Sequence, residues 1–215
     1  MYWGSSSNEW FSTKSSINLI QKEKGHSSTG TDWIWKLNIP PKIKQFMWRI
    51  TKDGLPTKGK LEQRHISVPT QCEFCNQTYE DFYHLFVSCQ NTRNIFKIVD
   101  PKIEKVLASF TNHNITPLEL VKRIKKKLEV NKIETLAFGW WSIWYFRNQI
   151  IFNNEVVNNT KITEFIKKQE VQWRNSVIEN DKSEKEGTNS RVTSTQSRGK
   201  QKELNGKDQH KVRSS

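Results

Sequence analysis

The sequence predicts a mainly α-helical fold, and three observations carry that prediction. Apolar residues recur at helical spacing in separate segments, Ile43, Phe46, Met47 and Ile50 giving the i, i+3, i+4, i+7 pattern of one buried face. Helix starts are written into two proline-bearing runs, Pro40–Pro41 and the T-P-L-E run from Thr116. The run L-A-F-G-W-W-S-I-W-Y-F, Leu136 to Phe146, is apolar on nearly all sides and far shorter than the ~20 residues that span a bilayer, so it reads as a buried helix.

Taken in order, W-F-S-T-K-S-S-I-N-L-I-Q-K starts like a short strand or turn and passes into a helix near Thr13 to Gln21. Gly25 to Thr31 reads as a flexible connector. The helix opened by Pro40 and Pro41 is ended by Gly54 and Pro56, and Thr57 caps a second, short helix containing Leu61. Thr78 is placed to cap a helix carrying Phe82, His84, Leu85 and Phe86, with Asp81 completing a capping box. In the T-P-L-E helix, Leu118, Val121, Ile124 and Leu128 line one face and Lys122, Arg123, Lys125, Lys126 and Lys127 largely cover the other. The longest helix is expected from about Ile133 to Phe152 and another from about Lys161 to Ile178, with Ile162, Phe165, Ile166, Gln169 and Trp173 along a stripe. From Asn180 onward the composition is polar and charged, with Val192, Leu204 and Val212 as its aliphatics. Such a segment cannot bury enough apolar surface to offset its ordering entropy, and it reads as a disordered tail. No internal repeat is visible.

The formal net charge is +13, which attracts polyanions, nucleic acid foremost. The densest basic cluster is K-R-I-K-K-K, Lys122 to Lys127; it reads as a phosphate-contacting face, an import signal or a solvated face. Trp140, Trp141 and Trp144 are candidates for stacking on bases, but a helix apolar all round favours the core. The N-terminal residues carry no basic region followed by an apolar run, so no signal peptide is expected. An intracellular, reducing compartment follows, the nucleus included, with no membrane partner.

The chain has three cysteines, all within one run that reads C-x2-C-x8-H-x4-C: Cys72, Cys75, His84 and Cys89. Disulfide pairing would leave one cysteine over, whereas Cys3His coordination uses all of them. Three thiolates and an imidazole form the donor set of tetrahedral zinc in a closed, structural site. The alternative is a set of buried cysteines and a core histidine. A retroviral-type knuckle has four residues between the second cysteine and the histidine, where this chain has eight. Five residues of α-helix turn through about 500°, so His84 and Cys89 would point about 140° apart in a continuous helix. The helix is therefore expected to end or distort before Cys89.

Catalytic zinc keeps a position open for water, and four protein ligands close it. Glu73, Glu80 and Asp81 lie nearby in sequence but read as exposed acids that solvate the loop or cap a helix. No D-D or D-x-D pair, Walker loop, nucleophile elbow or glycine-rich dinucleotide turn is present. The sequence thus gives no support for an enzyme or for a small-molecule substrate.

The run W-I-W-K-L-N-I-P-P-K-I-K-Q-F-M-W-R-I-T-K-D-G-L-P-T-K-G-K-L-E-Q-R-H-I, with the ligand segment ending H-L-F-V-S-C, resembles a known domain. It is similar to the zinc-binding domain downstream of the reverse transcriptase in plant LINE-type retrotransposon polyproteins. The upstream W-F-S-T-K-S-S resembles that family's N-terminal segment, although Glu9 stands where the family has glycine. W-W-S-I-W-Y-F-R-N-Q-I-I-F-N resembles the linker that precedes a ribonuclease H domain. The resemblance implies one structural zinc on Cys72, Cys75, His84 and Cys89 and assigns no catalytic residue, since polymerase and ribonuclease H activities belong to other domains of longer relatives. It also implies an organisation into residues 1–30, an N-terminal segment and connector; 31–100, the zinc-binding domain; 101–179, a helical linker region; and 180–215, the tail. The expected function is a non-catalytic zinc-binding module that binds RNA or DNA non-specifically, the basic helix Lys122, Arg123, Lys125, Lys126 and Lys127 being its candidate contact. The alternative is a structural or protein-interaction remnant.

Overall fold

The computed structural model describes residues 30–180, apart from positions 78 and 112. The helix expected near Thr13 to Gln21, most of the connector, the Thr78 cap and the polar tail lie outside the described residues.

A 3-10 helix, Asp32–Lys36, leads into α1, Pro41–Thr51, which starts at a proline as expected and buries Ile43, Phe46, Met47 and Ile50. The end of α1 is a Schellman arrangement: the Gly54 N–H donates to the Arg49 carbonyl and the Asp53 N–H to that of Ile50. The left-handed residue there is Asp53, at φ 50°, rather than the glycine that follows it. The short α2, Lys58–Glu62, is capped by Thr57, whose side chain accepts from the Lys60 N–H. Residues 70–80 form a loop closed by the isolated antiparallel bridge Gln71–Tyr79, with no strand among the described residues.

After the ligand loop come α3, Gln90–Val99, and α4, Pro101–Ala108, two helices beyond those expected above. Asp100 separates them, and its carboxylate caps α4 by accepting from the N–H groups of Lys102 and Ile103. Then α5, Pro117–Lys127, begins at its Thr116 cap. Its fully buried face is Leu120, Val121 and Ile124, so Leu120 takes the place expected for Leu118, which is half-buried.

The longest helix, α6, spans Val130–Asn153, and a last helix, α7, covers 159–180. Along α6 lie Ile133, Leu136, Ala137, Phe138, Trp140, Ile143 and Phe146, all buried. The core is one continuous cluster drawn from the ligand loop and from α1 and α3 to α7. Gly139 is where α6 meets α3: a Cβ there would stand 2.5 Å from the ring of Phe96. The helix carrying the predicted tryptophan cluster is thus largely interior: Trp140 is buried, while Trp141 and Trp144 are partly buried against the core.

Candidate metal centre

His84 to Ser88 is a single π-helical turn, in which the Cys89 N–H donates to the carbonyl of His84, five residues back, at 2.8 Å. A turn that closes over five residues brings positions 84 and 89 towards the same side, where an α-helix would splay them. This is the distortion that the spacing demands, and Cys89 then sits directly ahead of α3. Two carbonyls of the turn find donors outside it. Leu85 accepts from the Thr92 hydroxyl at 2.7 Å, and Phe86 accepts from the indole N–H of the buried Trp140 at 3.1 Å.

The turn is entered from Asp81, whose carboxylate accepts the His84 N–H at 2.6 Å. Asp81, three residues ahead of His84, thus caps this turn with its side chain. Cys72 and Cys75 come from a tight turn held by the Asn76 N–H on the Cys72 carbonyl at 2.8 Å, with Asn76 in the left-handed region at φ 55°. The Asn91 amide of α3 donates to the Phe74 carbonyl and ties this turn to the helix behind Cys89.

The four candidate ligand atoms lie within 4.8 Å of one another. Cys72 Sγ is 4.0 Å from Cys89 Sγ, and Cys75 Sγ is 3.4 Å from His84 Nε2. A tetrahedral zinc with the usual bond lengths needs sulfur–sulfur edges of about 3.8 Å and sulfur–nitrogen edges of about 3.5 Å, so the set fits this ion with little adjustment. The backbone fits as well: N–H groups of Phe74 and Cys75 point at the Cys72 sulfur, and those of Asn91 and Thr92 at Cys89. Such N–H donors favour thiolate over thiol. Ser88 Oγ lies 3.5 Å from His84 Nδ1, on the ring nitrogen that faces away from Cys75.

Electrostatics points the same way. The Cys89 thiol is pushed down to about 4, first by the hydrogen bond from Cys72 and then by that from His84, against burial. Cys72 is driven up by the same contact with Cys89 and by burial. Burial opposes charge on His84, yet the Cys89 and Cys75 sulfurs outweigh it and raise the imidazole. Three thiolates gathered in one buried spot need a compensating cation, and metal binding releases the protons that otherwise supply it.

Of the nearby acids, Asp81 is exposed and caps a helix as the sequence suggests, but Glu80 and the partly buried Glu73 depart from that reading. Glu80 is fully buried and bound to Arg147 of α6, whose Nη2 donates at 2.6 Å and whose Nε faces both carboxylate oxygens at 3.2 and 3.3 Å. The same carboxylate accepts the Lys58 N–H at 2.9 Å, and the Glu80 backbone bonds Gly59 and Thr70. Glu80 therefore ties α2, the ligand loop and α6 together. Its partner lies 67 residues away, and no local pattern could have paired them. Glu73 pairs with the largely buried Lys58, whose ammonium also donates to the Gln71 carbonyl at 2.8 Å.

The basic cluster on α5 does not form one face. Arg123 pairs with Glu119 at 2.8 Å, and Lys127 donates to Ser109 at 2.8 Å and lies over the ring of Phe110. Lys125 instead stands 5.0 Å over the ring of Trp33, and Lys122 lies against Gly30, where a Cβ would be 3.1 Å from its Cε. Lys126 is exposed.

A helical fold gathered around a Cys3His donor set defines a metal-binding module. Residues 11–96 match the family described as zinc-binding in reverse transcriptase. The chain is also similar to an Arabidopsis thaliana protein named for ribonuclease H, at 22% identity over 103 residues. That stretch is 46% of this chain and 17% of the relative, so the chain spans a small part of the relative's length. No solved structure matches. Among the described residues, no helix is long and apolar enough to cross a membrane.

Proposed function

We propose that the chain is a non-catalytic zinc-binding module, derived from a retrotransposon reverse transcriptase polyprotein, that binds nucleic acid non-specifically through basic surfaces. The observation that carries this reading is the closed Cys3His set inside a chain of net charge +13. Cys72, Cys75, His84 and Cys89 hold one structural zinc, which when bound supplies a four-armed cross-link and no open position for water. Asp81, Thr92, Asn91 and Trp140 fix the backbone that presents these ligands. Residues 31–100 act as the zinc unit, and the helices of 101–179 pack behind it and carry part of the positive charge to solvent. Lysines and arginines at the surface neutralise phosphates and release counterions, so affinity falls steeply with salt and depends little on sequence. Thiolate ligands suit a reducing compartment.

Fluorescence anisotropy of labelled DNA and RNA across a salt series tests the reading. Affinity that falls linearly on a log–log plot against salt supports it; no binding at low salt, or a slope near zero, sinks it. A second reading, a protein-interaction remnant, is favoured by one observation. A cleft of about 600 Å³ at the end of α6 is lined by Val68, Pro69, Ile150, Phe152 and Val156, the last two largely exposed. On that reading, nucleic acid fails to bind even at low salt.

A further inference from the structure

Two tryptophans stand apart from the core that takes in most of the described indoles. Trp35 on the 3-10 helix is 49% exposed and Trp48 on α1 is 38% exposed, whereas Trp140 is buried and Trp33, Trp141, Trp144 and Trp173 pack against the core. An indole is large and apolar, and a free one offers a flat π-face to solvent. The two are linked by Lys44. Its ammonium donates to the Trp35 carbonyl at 2.9 Å, and its position four residues before Trp48 puts both on the same side of α1.

Positive charge gathers around the pair. Lys36 is exposed at the end of the 3-10 helix, and Lys122 and Lys125 of α5 reach across to the same segment, against Gly30 and over Trp33. Of the acids on or beside these elements, Asp32 belongs to the 3-10 helix, Asp53, just past α1, is paired with Lys60, and Glu119 of α5 is paired with Arg123. The geometry points to this face as a binding site for single-stranded nucleic acid, with bases stacked on Trp35 and Trp48 and phosphates on Lys36, Lys44, Lys122 and Lys125. Single strands fit because their bases have free faces, whereas a duplex stacks its bases on one another and leaves the indoles nothing to cover. The inference rests on the proposed nucleic-acid binding and assigns it a face and a strand preference.

The zinc-loaded full chain is titrated by anisotropy into labelled oligo(dT) and into its duplex with oligo(dA). Trp35→Ala with Trp48→Ala weakens oligo(dT) binding by roughly 5- to 150-fold per stacked base lost and leaves duplex binding unchanged. Trp35→Phe with Trp48→Phe keeps most of the affinity, since a phenyl ring still stacks. Lys122→Ala with Lys125→Ala lowers the salt slope on oligo(dT) by about 1.4. Lys167→Ala with Lys168→Ala, the same charge loss on exposed positions of α7, leaves the ratio of single-strand to duplex affinity unchanged. Equal loss on both probes, or none, in the alanine variant overturns the inference while the proposed binding stands. A parent chain that binds neither probe at low salt overturns both. Should the alanine variant fail to fold, photo-crosslinking of the unaltered chain to bromodeoxyuridine-substituted oligonucleotide decides: adducts at Trp35 or Trp48 support the face, and adducts confined elsewhere overturn it.

Discussion

Glu80→Ala removes a carboxylate that is fully buried and engaged from two sides, by the Arg147 guanidinium and by the Lys58 N–H. Arg147 is itself buried, so the substitution leaves a cation without compensation in the interior, a loss of about 3–5 kcal/mol by comparison with other buried pairs. Domains of this kind are stable by about 5–15 kcal/mol, so the variant should be largely or wholly destabilised under mild denaturant. The sharper test is the cycle with Arg147→Met, which keeps apolar bulk under Trp144 but carries no charge. With both partners gone no unpaired charge remains, and the double variant should cost about 2 kcal/mol less than the sum of the two single ones. The stray Lys58 N–H keeps it from recovering fully. Urea unfolding followed by circular dichroism, at one fixed free zinc concentration, measures all four proteins on the same scale. An additive cycle, or a Glu80→Ala loss below about 1 kcal/mol, would refute the claim that this pair joins the ligand loop to α6.

Gly139→Ala forces a Cβ to within 2.5 Å of the Phe96 ring and should cost about 1–3 kcal/mol in the same unfolding assay. Phe96→Leu in that background should restore part of the loss, because the shorter side chain vacates the contact. Asp100→Ala removes the cap of α4 and the ion pair with Lys132, a loss of about 1 kcal/mol at neutral pH. Burial resists ionisation of Asp100, but the Lys132 ammonium and the two capping N–H groups outweigh it and hold its carboxyl below the ordinary 3.8. A depressed folded pKa gives stability that is present above the unfolded value and lost as pH falls through the folded one. The gap between parent and Asp100→Ala should therefore stay constant from neutral pH down to about 5 and close below about 4. A gap unchanged at acid pH would contradict that assignment.

Most helices were legible because they obey local rules. Pro41, Thr57 and Thr116 start helices where a fixed φ or a side-chain acceptor favours it, and the run around Trp140 is apolar enough to be interior wherever it lies. The donor set was legible for the same reason, since four ligands within eighteen residues need only a loop and a turn to meet. Even the break between His84 and Cys89 followed from helical geometry, although its form as a π turn did not. What escaped depends on distant partners. Nothing around Glu80 announces Arg147, and the exposure expected of an acid beside a metal loop is reversed by that cation together with the Lys58 N–H. The division of the α5 lysines into separate surroundings is set by Trp33, Gly30 and Ser109, residues brought in by other parts of the chain. Helices α3 and α4 were missed although they carry local signals of the same kind: Thr92, Ile95, Phe96 and Val99, then Ile103, Val106 and Leu107, keep helical spacing, and Asp100 with Pro101 is a cap followed by proline at the first helical position.

The central claim is that Cys72, Cys75, His84 and Cys89 hold one zinc whose binding is coupled to folding. Native mass spectrometry of the purified chain, with and without a strong chelator and beside Cys75→Ser, tests it most directly when read together with a thermal melt of each sample. The account predicts about one zinc per parent chain, a much reduced zinc content in Cys75→Ser, and a melting transition lowered or abolished when the metal is removed. A metal-free chain that melts as the untreated one does would contradict it.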